Sequence, residues 1–168
     1  MDINDIVEHS LESIARRIKN APSQKLAELA ENNVSRSTFA ITATFSVLTE
    51  AMKSELISLV QELSQTKIKL RNISSLRTKL NYFIKGQYKE HEEYLTKLNI
   101  FNKFSGQSIN DFIRNEIEDV TSTVELKILI LERNLNERRW QIIWDVSKMG
   151  LSAIIGGLIG AYLKNLIG

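Results

Sequence analysis

The side chains that could carry acid–base, nucleophilic or metal chemistry are few and scattered along this chain. It has two histidines, His9 and His91, and no cysteine, which excludes thiolate metal sites and disulfide frameworks. His9 stands beside Glu8 and Glu12, a grouping more typical of a solvated helix surface than of a metal site. Neither a phosphate-binding glycine loop nor the Glu-x-x-His pair of di-iron bundles occurs. We therefore expect no enzymatic activity, no cofactor and no metal site.

A run of basic side chains without an intervening acid forms one candidate binding surface. Its members are Lys67, Lys69, Arg71, Arg77, Lys79, Lys85 and Lys89. Such a run suits an anionic partner, either RNA or anionic lipid. The alternative is a solvated helix face whose charges pair with Glu28, Glu31, Glu50 or Glu55. The net charge of +2 does not favour a nucleic-acid partner, although it does not exclude one.

A long uncharged stretch, residues 149–163, indicates a membrane anchor. Basic and aromatic side chains flank it, as they do at both interfaces of many membrane helices. The predicted interface anchors are Arg138, Arg139, Trp140, Trp144, Lys148, Tyr162 and Lys164. We therefore expect one transmembrane helix over residues 149–164, in contact with the lipid bilayer.

The length of this stretch leaves alternatives open. Fifteen uncharged residues give about 22 Å of helix, whereas a bilayer core is ~30 Å thick. The distance from Trp144 to Tyr162 is roughly 27 Å at the same rise per residue, and flanking lysines can extend outward to the interface. A helix that lies in the interface and a buried helix of a soluble bundle are the two alternatives.

Small residues recur at four-residue spacing within the uncharged stretch and predict self-association. They form two neighbouring ridges, Ser152, Gly156 and Gly160 on one and Ala153, Gly157 and Ala161 on the other. In lipid, small residues let helix backbones approach closely, which favours association. The expected partner is another copy of the chain. In a ring of copies, Asp145 and Lys148 would repeat near one interface as charged rings.

The composition and the spacing of apolar residues predict an all-α fold. Glycine and proline are scarce, with seven and one, which favours long helices. A first helix is expected to about Asn20, and a second from Pro22 to Asn32. The uncharged run from Ser37 to Thr49 would permit a strand, yet it continues without a turn signal, so we predict a helix.

The central part of the chain follows a heptad pattern from Leu56 to Phe101, which predicts a long helix in a coiled hairpin or bundle. Thr66, Arg77, Gln87 and His91 interrupt the seam. Gly86 is a weak point in the helix. The segment 105–108 is the next break, with Ser108 as the expected N-cap of the last helix.

The last helix is predicted to be continuous from Ser108 to about Leu166. Its apolar stripe repeats every eleven residues and includes Ile109, Ile113, Ile117, Val120, Val124, Ile128, Leu131 and Leu135. An eleven-residue repeat is about 3.67 residues per turn, so the stripe runs almost straight along the helix. Further along, the same positions carry the small residues of the uncharged stretch.

Three segments and one orientation follow from these patterns. We expect short amphipathic helices over residues 1–34, a cytoplasmic long-helix hairpin or coiled bundle over 35–148, and the anchor over 149–164. The start of the chain lacks a secretory signal pattern, and more basic residues precede the anchor than follow it. The positive-inside rule therefore predicts a tail-anchored protein with its first part in the cytoplasm.

The function that these expectations favour is that of a tail-anchored, oligomerising helical protein that forms a pore or perturbs the membrane, for example a bacterial toxin or an antiviral-defence effector. The alternative is a non-enzymatic tether or scaffold that acts through its coiled-coil part. The packing of the uncharged stretch separates the two, because a pore requires it and a tether does not.

Overall fold

The prediction of an all-α fold is confirmed. The structure, a computed structural model, describes residues 3–66, 68–104 and 106–167, with only the backbone for 103, 104, 142, 145, 146 and 149–167. Within these ranges all regular elements are helical and no strand occurs. The helices are α1 (Ile3–Ile18), α2 (Asn20–Glu31), α3 (Thr38–Ser64), a 3₁₀ turn (Leu70–Asn72), α4 (Ile73–Lys97), α5 (Phe101–Phe104) and α6 (Gln107–Ile167).

The chain divides into two compact units, a first unit of residues 1–131 and a second unit of residues 132–168. Helix α3 is the centre of the first unit, because α1, α2 and α4 all pack against it. Its core-facing side chains include Ile41, Phe45, Met52 and Leu56, all fully buried. Burial of each such side chain contributes about 1.5–3 kcal/mol, so these contacts hold the first unit together.

The uncharged run that opens α3 is helical, as predicted, although it is rich in β-branched residues. Ser37 is the N-cap, and its hydroxyl oxygen accepts a hydrogen bond from the Ala40 N–H at 3.1 Å. The buried Thr44 hydroxyl donates to the carbonyl of Ala40, at 2.9 Å. The cap satisfies a free N–H of the first turn, and the second bond lets a polar side chain enter the core.

Helices α1 and α4 run in the same direction along the first unit. Residues further along α1 contact residues further along α4. Near the start of both helices, the Ser75 hydroxyl donates to Asn4 Oδ1 at 3.1 Å. Further along both helices, the ammonium of Lys19, which follows α1, pairs with the Glu90 carboxylate of α4. The apolar stripe predicted for α1 lies in the core between these polar contacts, with Val7 buried.

The prediction of a single long helix from Leu56 to Phe101 is wrong. Helix α3 ends at Ser64, and Lys69 has an extended backbone, with φ −110° and ψ 152°. The Lys69 N–H donates to the side-chain oxygen of Asn72 at 3.2 Å. This local bond starts the 3₁₀ turn that leads into α4. The break lies beside Thr66, one of the residues that interrupted the predicted seam.

The predicted seam also leaves the core in the second half of α4. Tyr94 and Leu98 are exposed, whereas Tyr88, His91 and Leu95 are buried. A straight α-helix drifts by ~20° per heptad from a strict seven-residue repeat. The core face therefore moves away from the heptad positions over two to three turns, and His91 belongs to the core rather than interrupting it.

Two helices end at an asparagine in the left-handed conformation. Asn33 has φ 62° and Asn99 has φ 57°. At the first, the Val34 N–H donates to the Leu29 carbonyl at 2.9 Å, and the Ile100 N–H makes the equivalent bond after α4. Asparagine tolerates this conformation better than most residues. The end after α2 was predicted from its asparagine pair, and the end after α4 was missed.

Helix α6 begins at Gln107, one residue before the predicted cap at Ser108. The carbonyl of Gly106 accepts hydrogen bonds from the N–H groups of Ile109 and Asn110, at 3.0 and 3.1 Å. Its predicted stripe is buried within the first unit, at Ile109, Ile113, Val120, Val124, Ile128 and Leu131. Polar contacts flank that stripe, among them the ion pair between Lys53 of α3 and Asp119 of α6.

Candidate membrane-interface segment

The described side chains of the second unit include large apolar groups in contact with solvent. Trp140 is 70% exposed, Trp144 is 63% exposed, and Ile143 is also exposed. These two tryptophans are the only ones in the chain. Tryptophan usually buries most of its large surface and finds a partner for its indole N–H. Two exposed indoles one helical turn apart are therefore unusual and mark this stretch of α6 as a candidate binding surface.

Basic side chains accompany the two tryptophans. The ammonium of Lys148 lies 5.4 Å from the centre of the Trp144 ring, within the range of a cation–π interaction. Arg138 and Arg139 are exposed. We define the interface segment as residues 138–148, in which aromatic rings and basic groups share one stretch of α6.

The predicted packing surface of the anchor lies outside the side chains that the structure describes. This holds for Ser152, Ala153, Gly156, Gly157, Gly160 and Ala161, for the anchors Tyr162 and Lys164, and for Asp145 of the charged ring. The packing surface and the charged ring therefore stay predictions. Among the helices as far as they are described, none has a window apolar and long enough to cross a membrane.

The predicted basic surface is divided between different neighbours. The Arg77 guanidinium contacts Glu125 of α6 at 2.8 Å, whereas Lys79 pairs with Glu8 of α1 at 2.6 Å. Lys69, Arg71, Lys85 and Lys89 are exposed, and Lys67 lies outside the described residues. Arg77 and Lys79 thus link α4 to two different helices, while the other described members of the run are exposed.

The acidic partners expected for the basic run pair with other cations. Lys25 contacts Glu28 at 2.9 Å, and Lys53 contacts Glu50 at 2.9 Å. Arg17 of α1 donates to both carboxylate oxygens of Glu55, at 2.8 and 2.6 Å. This hydrogen bonding lowers the pKa of the Glu55 carboxyl. The partners that the structure gives for Glu28, Glu50 and Glu55 thus lie outside the basic run.

A buried histidine in the first unit was not singled out as a site by the sequence. His91 is 7% exposed, and its Nε2 atom is buried without a hydrogen-bond partner among the described residues. Burial lowers the pKa of His91 to about 4. The side chain lines a cavity of about 360 Å³ together with Pro22, Ser23, Leu48 and Tyr94. The sequence signal for the burial of His91 was its position on the predicted heptad seam.

Aromatic rings surround His91 on the core side. The Phe45 ring lies edge-to-face with the imidazole, at 4.7 Å between centroids, and stacks on Tyr88 at 5.9 Å. The Tyr88 hydroxyl shares a hydrogen bond with Thr49, and burial raises the pKa of that phenol. This cluster joins α3 to α4 and contains polar atoms that only precise packing can satisfy.

The described part of the chain holds no group of three or more side chains suited to a metal ion. His9, the other histidine, is exposed and lies 3.8 Å from the Glu12 carboxylate. The two sites that stand out are thus the interface segment and the His91 cavity, which differ in position and in chemistry. No protein-family model matches the chain, and no curated protein and no solved structure matches it either.

Proposed function

We propose that this chain is a membrane protein that is anchored through residues 149–164 and self-associates there, so that it opens a pore or perturbs the bilayer. The observation that supports the proposal is the exposure of Trp140 and Trp144 immediately before a stretch of fifteen residues without a charge. Indole rings favour the boundary between headgroups and hydrocarbon, because that boundary suits both their apolar face and their N–H.

The charge distribution supports one orientation of the anchor. Arg133, Arg138, Arg139 and Lys148 precede the uncharged stretch, and Lys164 is the one basic residue in the five that follow it. Lysine and arginine are enriched on the cytoplasmic side of membrane helices. In the proposed arrangement, the interface segment therefore lies at the cytoplasmic face of the bilayer, on the same side as the first unit.

Tryptophan fluorescence tests the anchor directly, because both tryptophans lie in the interface segment. The full chain is mixed with vesicles of phosphatidylcholine and phosphatidylglycerol, with and without brominated acyl chains. We expect a blue shift of the emission and quenching by bromine. The control is a chain truncated after Lys148, which keeps both tryptophans. Equal binding by the truncated chain would contradict the anchor, and absence of any shift would contradict membrane binding altogether.

A second experiment separates a pore from a tether. We expect the full chain to release a trapped dye from vesicles and to migrate as an oligomer in mild detergent. Replacing Gly156, Gly157 and Gly160 by leucine should abolish both, because bulky side chains keep the backbones apart. The matched control replaces the same glycines by alanine, which stays small. If the wild-type chain binds vesicles and never releases dye, the tether replaces the pore.

A further inference from the structure

His91 lies where three helices of the first unit meet. It belongs to α4, the Phe45 ring of α3 contacts it at 4.7 Å, and Pro22 and Ser23 of α2 line the same cavity. The ring of Tyr94, one turn away on α4, is 6.1 Å from the imidazole. A change in the charge of this one side chain therefore acts on the contact of α4 with α3 and on the cavity that α2 lines.

The surroundings of His91 suit its neutral form. Toward the imidazole, α3 presents Phe45 and Leu48, and α2 presents Pro22 and Ser23, none of which carries a charge. The charged groups at the cavity are Lys19, Glu90, Glu93 and Lys97. Lys19, which precedes α2, is paired with Glu90, and Glu93 and Lys97 carry opposite charges, so the charged groups at the cavity provide no excess of acid. Of the phenols of α4, Tyr94 lies 6.1 Å from the ring, and Tyr88 stacks on Phe45, which contacts the imidazole.

We propose that protonation of His91 at acidic pH loosens the packing of the helices around it in the first unit. In its neutral form, the imidazole packs against Phe45 of α3 and lines the cavity between α4 and α2. When it gains a proton, both ring nitrogens become donors, and the buried Nε2 has no acceptor among the described residues. The charged ring then moves toward the open side of the cavity, and the packing of α4 against α3 and beside α2 loosens.

The direction of the pH dependence follows from linkage between protonation and unfolding. Burial depresses the pKa of His91 in the folded chain, so the unfolded chain binds the proton more readily. The stabilising contribution of the neutral ring is complete above pH 6.5 and is lost as the pH falls toward about 4. With pKa values of 6.5 unfolded and about 4 folded, the unfolding equilibrium constant rises about 30-fold between pH 8 and pH 5.

The first test is urea unfolding of the full chain in mild detergent at pH 8 and pH 5, followed by the helical circular-dichroism signal. Carboxylates also titrate in this range, so the wild-type change is compared with that of two variants. His91→Leu removes the titratable imidazole and keeps an apolar side chain of similar length. His9→Gln is the matched control on an exposed histidine. We expect the about 30-fold change to be absent from His91→Leu and retained in His9→Gln. Equal changes in all three chains would overturn the proposal.

The second test uses the wild-type fold and does not depend on a substitution at His91. Hydrogen exchange, corrected for the intrinsic effect of pH, is measured by mass spectrometry at pH 7 and pH 5. We expect opening to increase in peptides from α2 and from the second half of α4. In His9→Gln, nuclear magnetic resonance of the one remaining imidazole, followed from pH 7 down to pH 4, should show protonation that coincides with this opening. Protonation without opening, or opening spread evenly over the first unit, would overturn the proposal.

Discussion

Helix α6 in the first unit and the interface segment in the second unit present apolar side chains in opposite ways. In the first unit, the stripe that includes Val120 and Ile128 is buried. In the second unit, Trp140 and Trp144 are exposed. Both stretches have the spacing of an amphipathic helix, so spacing predicts the helix and does not predict what covers its apolar side. The first stretch is covered by its own chain, and the second, in our proposal, by lipid.

The largest expected effect tests whether burial, rather than helix formation, makes α6 part of the first unit. Ile128→Ala removes a side chain that is 1% exposed and should lower the free energy of unfolding by about 3 kcal/mol. Leu126→Ala, on the same helix at a 57% exposed position, should change it by less than about 0.5 kcal/mol. Urea unfolding of both variants provides the measurement. Equal losses would show that α6 is covered on both sides.

A buried polar contact provides the next largest effect. Thr49→Val removes the hydrogen-bond partner of the Tyr88 hydroxyl and leaves that hydroxyl in an apolar environment. The free energy of unfolding should fall by about 2 kcal/mol, because the buried hydroxyl has lost its contacts with water and no longer has a hydrogen-bond partner that compensates for them. Thr78→Val, at an exposed position of α4, is the control in the same unfolding experiment. A Thr49→Val chain as stable as wild type would show that water reaches Tyr88.

The sequence predicted the helices well where one local signal sufficed. The apolar stripe of α6 was predicted correctly as far as Leu131, since it depends on residues three or four positions apart. The break after α3 was missed because the heptad pattern continues across it, and Thr66 was read as an interruption of one helix. The sequence signal for the end of α4 is the same as for the end of α2, namely an asparagine just after the helix. The structure shows that both asparagines, Asn99 and Asn33, adopt positive φ.

The candidate sites were predictable to different degrees. The composition around Trp140 and Trp144 indicated an interface, and the structure adds the exposure of both rings. The His91 cavity could not be predicted, because it depends on how α2, α3 and α4 meet. The partners of Arg77 and Lys79, Glu125 and Glu8, were not among the expected acids for the same reason. Arg77 and Lys79, two residues apart on α4, face different helices, and only the packing decides which acid each one meets.

The exposed aromatic rings of the two units provide a smaller effect that sharpens the comparison. Trp144→Ser should lower the vesicle affinity of the full chain roughly tenfold, which is about 1.4 kcal/mol. Partial burial of ~60 Å² of ring surface at ~25 cal/mol per Å² accounts for that value. Tyr82→Ser removes an 82% exposed ring from the first unit and should leave the affinity unchanged. Flotation with vesicles measures both, and equal losses would place the first unit at the membrane too.

The smallest expected effect concerns Gly86, which the sequence marked as a weak point and which lies inside the continuous helix α4. A Cβ atom added there meets no heavy atom within 4 Å, so the fold of the first unit does not require glycine. Gly86→Ala should raise the free energy of unfolding by about 0.5–1 kcal/mol, because alanine loses less backbone entropy in a helix.

Gly106 is the matched control for this substitution, since it has the same open space and lies just before α6 rather than inside a helix. Gly106→Ala should lower the free energy of unfolding by a few tenths of a kcal/mol, because glycine is preferred to alanine before the first turn. Urea midpoints of the two variants should therefore shift in opposite directions. A Gly86→Ala chain that is less stable than wild type would contradict the open space that the structure gives a Cβ atom at this position of α4.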